Sequence, residues 1–438
     1  VRTFFVWAIV FLSLPIAFFQ PFYGVLIWAW TSYFRPHDLA WGAGDLRLSY
    51  YIALATLGGV LFSRERFRII PVRETFLCGA LLVALMIAAD HAEFSQGYAW
   101  EKVQQYGKVL LMTVLTAALV TSPGRFRILA WTIAISVGGL GFKGGLLGTI
   151  RGARLAGPGG FIADNNDFAL ALNMSLPFFL YLAQQSKRRF VKLALYFVFA
   201  LSVIAIVLTY SRGGFIGLGM VMFMIWLRSK RKFVSAIVIV FAGILGFVAA
   251  PQSYIERIAG ISKYKTDASA VGRLNAWQAC WNIACEHPLT GIGPRNLVPS
   301  VFRRYAPHPE DYHVAHNIYF QTMADGGFLL LAIFLGLVFG CFLSLRKLRK
   351  QVPLRPDTEW FHGGCHMLEA SFVAYQASGF FLSRNDFDLF YHLVGMVIAL
   401  KALAVQIPRT VATDAKAAAR GPRELAVVRL HPATGGTA

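Results

Sequence analysis

The chain has 438 residues, 56% of them hydrophobic and only 15% charged, where about 25% charged is usual for a soluble domain. So few charges cannot cover so much apolar surface in water, which excludes a soluble fold and leaves an all-α polytopic membrane protein. Lys and Arg number 42 against 22 Asp and Glu, a formal charge of +20, yet the bases fall in short clusters between apolar runs, and no groove-reading motif accompanies them; nucleic acid is excluded and membrane lipids are the fitting partners.

A helix needs about 20 apolar residues to cross a bilayer core. The first apolar stretch, 3–34, is too long for one simple helix and is interrupted by Pro15 and Pro21. It reads as a first membrane segment rather than a removed signal peptide, since no small-residue cleavage site follows. Further runs lie at 48–62, 74–90, 106–122, 126–146, 166–184, 190–210, 213–227 and 232–250, then at 317–345, 363–382 and 386–405. Basic clusters at Arg64, Arg66, Arg68 and Arg73, at Lys187–Lys192, at Arg228–Lys232 and at Arg346–Lys350 separate alternate pairs of runs, as cytoplasmic loops do. The intervening loops carry mixed charge, including Arg35, Asp38, Arg151, Arg154, Asp164 and Asp167.

If Arg2 is cytoplasmic, 3–34 makes one net crossing and the chain has about 12 transmembrane helices. The expected layout is nine of these within 1–250, a long periplasmic loop at 251–315, three more within 316–405, and a disordered cytoplasmic tail at 406–438. The loop holds seven Lys/Arg and five Asp/Glu, polar without being a basic cluster. Within it, 272–286 is expected to be an amphipathic helix with Leu274, Trp277, Trp281 and Ala284 on one face, stopped by Pro288 and followed by a GIGP turn at 291–294. The five cysteines match no zinc or disulfide pattern.

Arg212, in TYSRGGFIGL, joins a guanidinium to two glycines just before a helix, an arrangement suited to gripping a phosphate. A snorkelling interfacial arginine is the plainer alternative, and Lys143 reads as such an anchor. Arg273 is expected to open the loop helix in AVGRLNAW, where a cation opposes the helix dipole unless it shares an anion with the helix end. His316, where the loop re-enters the membrane in HVAHNIYFQTMADGGF, is a candidate general base. His313, Glu310 and Asp311 lie nearby, but no further ligands complete a shell, so no metal is expected. Asp325 lies about 13 Å up the helix from His316, beside Gly326 and Gly327; it is either functional or the group that satisfies a Gly-Gly kink.

SRGG before a span, GR opening a loop helix, CEHPLTGIGPRN after it, and HN followed by a D-G-G span together resemble the O-antigen ligase/polymerase superfamily. These motifs cover roughly 200–330. The start, with FRPHDLAWG, is similar to the exosortase-associated O-glycosylation ligase branch. The resemblance implies a GT-C-like membrane glycosyltransferase at the bacterial inner membrane. It would move glycan from undecaprenyl pyrophosphate to a lipid A-core hydroxyl on the periplasmic face. It further implies that Arg212 and Arg273 bind the pyrophosphate and that His316 is catalytic, with no cofactor. Asp325 stands where many members show Glu, and His313 and Arg295 join it as candidate supporting residues. O-antigen polymerase and protein O-oligosaccharyltransferase share this chemistry. A lipid-linked glycan flippase would need midplane ionisable groups and repeated halves, which the sequence does not show clearly.

Overall fold

The computed structural model describes residues 2–39, 48–62, 69–151, 154–229, 231–233, 235–237 and 268–419, and all regular structure among them is helical. The helices are α1 (Arg2–Phe19), α2 (Pro21–Phe34), α3 (Leu48–Phe62), α4 (Arg73–Asp90), α5 (Gln96–Leu119), α6 (Pro123–Arg151) and α7 (Asn165–Gln185). They continue with α8 (Arg189–Leu208), α9 (Arg212–Arg228), α10 (Ala268–Glu286), α11 (Pro299–Tyr305), α12 (Ile318–Gln351), α13 (Glu359–Gly379) and α14 (Asp388–Ala419). In hydrocarbon a helix satisfies its own backbone, which is why apolar runs of this length fold this way. Among the described residues four helices are long and apolar enough to cross a membrane: Pro123–Ile150, Arg189–Leu208, Ile318–Gln351 and Asp388–Ile407. The protein is a multi-pass membrane protein.

The expected interruption of the first stretch falls at Gln20, with Pro21 at the start of α2, where its missing N–H costs nothing. Most of the expected span at 232–250, the bases at 64–68 and the loop segment 251–267 lie outside the described residues. Several boundaries differ from expectation, and α5 begins at Gln96, ten residues before the expected run. The loop helix α10 begins at Ala268, and α14 continues to Ala419 past the expected end near 405.

α7 is buried along most of its length and packs against α6, α8, α9 and α13. One end of the bundle is tied by ion pairs. Glu369 of α13, 4% exposed, accepts from Arg228 at the end of α9 and from Arg349 near the end of α12, the latter at 2.6 Å. Because both helices finish there, Arg212 at the start of α9 and His316 before α12 belong to the opposite end. Glu74, fully buried at the start of α4, is held the same way, by Ser344 at 2.6 Å, by Lys401 and by Arg73 at 3.3 Å. The bases Arg73, Arg228 and Arg349, expected only as loop charges, are thus structural staples as well.

At the opposite end α10, α11 and the chain up to Ala315 enclose a second small apolar core, with Ala279, Cys280, Ile283, Phe302 and Ala315 at its centre. The face of α10 matches the expected one only in part: Ala284 is buried and Trp277 packs on Phe320. Leu274 and Trp281 are 44% and 47% exposed, whereas Asn275, Ala276, Ala279, Cys280 and Ile283 are buried. The buried face is chosen by polar bonds that periodicity does not register. Asn275 donates to the His308 and Asp311 carbonyls at 2.8 and 3.1 Å, and Asn282 to that of Tyr305 at 2.8 Å. The α4–α5 turn clamps this unit from below. Glu93 accepts from Tyr305 Oη at 2.6 Å and from Arg304, and Asn296 Oδ1 accepts from the backbone N–H groups of Phe94 and Ser95 at 2.9 and 2.7 Å.

Candidate functional site

His316 occupies the turn between this second core and α12. Its φ of +43° is left-handed, a conformation uncommon for a residue with a Cβ, though His, Asn and Asp adopt it more readily than most. The next residue, Asn317, caps α12, its Oδ1 accepting from the N–H groups of Tyr319 and Phe320 at 2.8 and 3.2 Å. The HN pair is therefore a local device: one residue reverses the chain and the other starts the helix. A bond of 2.7 Å from Trp277 Nε1 to the Ala315 carbonyl ties this turn to α10. The Trp277 ring also stacks on Phe320 of α12, 5.1 Å between centroids.

The same contacts place Arg273, one turn before Trp277 on α10, where its charge acts on the imidazole. Gly272 makes room for this. A Cβ there would lie 2.3 Å from the His313 ring, so the glycine of the GR pair admits His313 beside the arginine. His313 is itself bonded to Asp311, Nδ1 to Oδ1 at 3.1 Å. Burial lowers the His316 pKa below its ordinary value, and the charges of Arg273 and His313 lower it further, while Asp164 opposes them. His316 is half-buried and biased to its neutral, proton-accepting form.

Asp164 was placed by sequence only in a mixed-charge loop. It caps α7, its Oδ1 accepting from the Asn166 N–H at 2.8 Å. Asn165, beside it, donates to the Thr209 carbonyl at 2.9 Å, three residues before Arg212. The start of α7 is thus bonded to the turn that carries Arg212, and the Asp164 charge acts on His316. An Asp followed by two Asn residues could have signalled the cap; nothing in the sequence could have paired it with a histidine 152 positions away.

Arg212 is the first residue of α9, whose cap Ser211 accepts from the Gly214 N–H at 2.9 Å. Tyr210 before it is left-handed, with φ +55°. Arg273, by contrast, stands in the second turn of α10 because that helix begins at Ala268. The argument that a cation at a helix N-terminus opposes the dipole therefore applies to Arg212 rather than to Arg273.

Two of the candidate supporting residues lie apart from this cluster. Arg295 is on the surface, pairing with Glu101 at 2.7 Å and covering the Tyr98 ring. Asp325 is buried within α12 and accepts from Gln321 at 2.9 Å and Asn385 at 3.0 Å. It does not satisfy the Gly-Gly kink. The irregular backbone at Gly326 and Gly327 is met by the PLTGIG turn: Ile292 N–H donates to Ala324 at 3.0 Å and Leu329 N–H to Pro288 at 3.2 Å. A Cβ on Gly291 would strike the Ala324 carbonyl at 2.3 Å, and one on Gly327 the Pro288 carbonyl at 2.4 Å. The two glycine motifs interlock and fix the outer unit on α12. Among the described residues no three His, Cys, Asp or Glu gather as metal ligands.

Comparison with known families divides the chain in two. Residues 1–167 match a family of unknown function (DUF5935), and residues 197–335 match the O-antigen ligase family. No curated protein matches. The second match spans Arg212, α10, the interlocked glycine turns, His316 and the kink of α12, so the whole arrangement from the first arginine to the returning helix is the family's own segment, and the chain belongs to the O-antigen ligase superfamily.

Proposed function

We propose that the protein transfers a glycan from undecaprenyl pyrophosphate to a lipid A-core hydroxyl, on the periplasmic side of the bacterial inner membrane. In this reading the chain has about 12 transmembrane helices, and α10 and α11 belong to a periplasmic catalytic loop. The observation that carries it is the left-handed turn at His316, tied to α10 by the 2.7 Å bond from Trp277 to the Ala315 carbonyl, where the charges of Arg273 and His313 favour a neutral imidazole, at the end of the bundle remote from the Glu369 staple. The imidazole is biased to its neutral form by the charge of Arg273, and the second arginine, Arg212, starts a helix at the same end of the bundle.

The acceptor hydroxyl attacks the anomeric carbon while His316 takes its proton. The bond from that carbon to the pyrophosphate oxygen breaks, and undecaprenyl pyrophosphate leaves. Arg212 and Arg273 offset the charge that grows on the leaving oxygen through charge-assisted hydrogen bonds. Pyrophosphate leaves without a general acid, so one base and two guanidinium groups suffice and no metal is required. A single displacement inverts the anomeric centre.

The test is reconstitution. Purified protein in nanodiscs receives lipid-linked glycan and lipid A-core without a gradient, and products are read by mass. Formation of the glycosylated core supports the reading. Elongated lipid-linked glycan instead would reassign the protein as a polymerase, and no product would return it to transport. Orientation is tested separately at Cys285, the exposed one among five cysteines of which the others are buried. An impermeant thiol reagent should label it in intact spheroplasts; protection until lysis would reverse the assigned side.

A further inference from the structure

A cavity of about 320 Å³ lies between α6 and the segment 154–158, within the size range of ligand sites, about 300–1,000 Å³. Along α6 it is lined by Leu140, Lys143, Gly144, Leu147 and Gly148, and across from them by Arg154, Leu155 and Phe168. These α6 positions share one helical face, so the cavity is a groove parallel to the helix. Its walls are apolar except for the two cations. Gly148 lets Leu155 and Leu208 close against α6 at one end of the groove: a Cβ there would lie 2.9 Å from Leu208 and 3.1 Å from Leu155.

The height of the groove matters as much as its lining. From Pro123 to Lys143 the helix rises about 30 Å, the thickness of a bilayer core. Lys143 therefore lies where a lipid headgroup meets its chain, with its exposed side chain at the groove. Arg154 is also exposed, oriented by its Nε bond of 3.4 Å to the Thr209 carbonyl. Among the described residues neither cation forms an ion pair. A snorkelling lysine explains one charge at a membrane boundary but not a second across an open apolar groove.

We propose that this groove binds an anionic lipid, its phosphate between Lys143 and Arg154 and an apolar chain lying along α6. Arg154 and Asn165 share the Thr209 carbonyl, so the bound phosphate lies beside the turn that leads to Arg212. Two sources share this chemistry, a polyprenyl phosphate and a glycerophospholipid.

The full-length protein in phosphatidylcholine nanodiscs is labelled with a photoreactive undecaprenyl phosphate, and the crosslinked peptide is mapped. Wild type should be labelled within 140–158. The double variant Lys143→Gln, Arg154→Gln should lose about tenfold or more of that labelling, since each base near a membrane surface contributes about 1 kcal/mol to anionic-lipid attraction. Leu147→Trp fills the groove with both charges intact and should lose it too. Competition by undecaprenyl phosphate far better than by phosphatidylglycerol assigns the site to a lipid carrier; the reverse assigns it to a phospholipid, and either result supports an anionic-lipid groove. The proposal fails if uncharged undecaprenol or inorganic phosphate competes as well as the lipid phosphates. It fails equally if both variants, monodisperse on gel filtration, label like wild type. Because the assay reads binding and leaves Arg212, Arg273 and His316 in place, its failure leaves the transfer reaction untouched.

Discussion

The two ends of the bundle use the same residue types for opposite purposes. At one end Glu369 is enclosed by Arg228 and Arg349, and Glu74 by Lys401 and Arg73. Each buried carboxylate has two cations, so helix ends are pinned and the charges are offset. At the other end the central group is an imidazole, not a carboxylate. Arg273 pushes its proton off, and the charge that opposes this is that of the exposed Asp164. Positive charge that is neutralised internally holds structure; positive charge gathered around a neutral base is suited to an anionic substrate.

The sharpest way to break this contrast is at His316. Replacement by Asn keeps a residue that tolerates the left-handed turn but removes the base. Transfer should fall about 10²–10⁴-fold with an unchanged melting temperature in detergent. Near-normal turnover would end the general-base assignment. At the other end Glu369→Gln should behave in the reverse manner. It leaves two half-buried guanidinium groups without their carboxylate and should cost about 1–3 kcal/mol of stability, read as a lower melting temperature, with activity per folded molecule little changed. If instead activity collapsed at full stability, the division between the two ends would be false.

Arginine chemistry gives the next effect. Lys at position 212 or 273 keeps the charge but not the planar two-point contact, and kcat/KM should drop about 10²–10³-fold, as when one oxyanion donor is removed. Arg228→Lys, which keeps a cation near Glu369 and gives up only the bond to the His366 carbonyl, should be tolerated far better; equal losses at all three positions would show that none is specific to substrate. The smallest effect is on pH dependence. The wild-type rate should be flat at neutral pH and fall only as pH drops through the lowered His316 pKa. Asp164→Asn preserves the helix cap but removes the charge that opposes Arg273, so the acid limb should move to lower pH. Arg273→Gln should move it to higher pH. Shifts of the same sign in both variants would contradict the electrostatics of the site.

Much of this was legible in the chain itself. Composition and the spacing of apolar runs require a helical membrane protein, because only helices satisfy their backbone within hydrocarbon once no strand pattern is present. The order SRGG, GR, GIGP, HN and DGG marks the segment 197–335 matched to the O-antigen ligase family, and the charge of Arg273 acts on His316. Tertiary structure decided the rest, since it depends on partners far apart in sequence. The buried face of α10 follows from Asn275 and Asn282 bonding the returning chain, not from the spacing of its large apolar residues. Asp164 reaches His316, and Arg228 and Arg349 reach Glu369, only once helices pack. Asp325, which looked like a kink's partner, bonds Gln321 and Asn385, while the kink is closed by Pro288 and Ile292. Periodicity and motif order report what each helix must bury and where the chain must turn; which charge is neutralised and which stays available is fixed by the neighbours that packing brings.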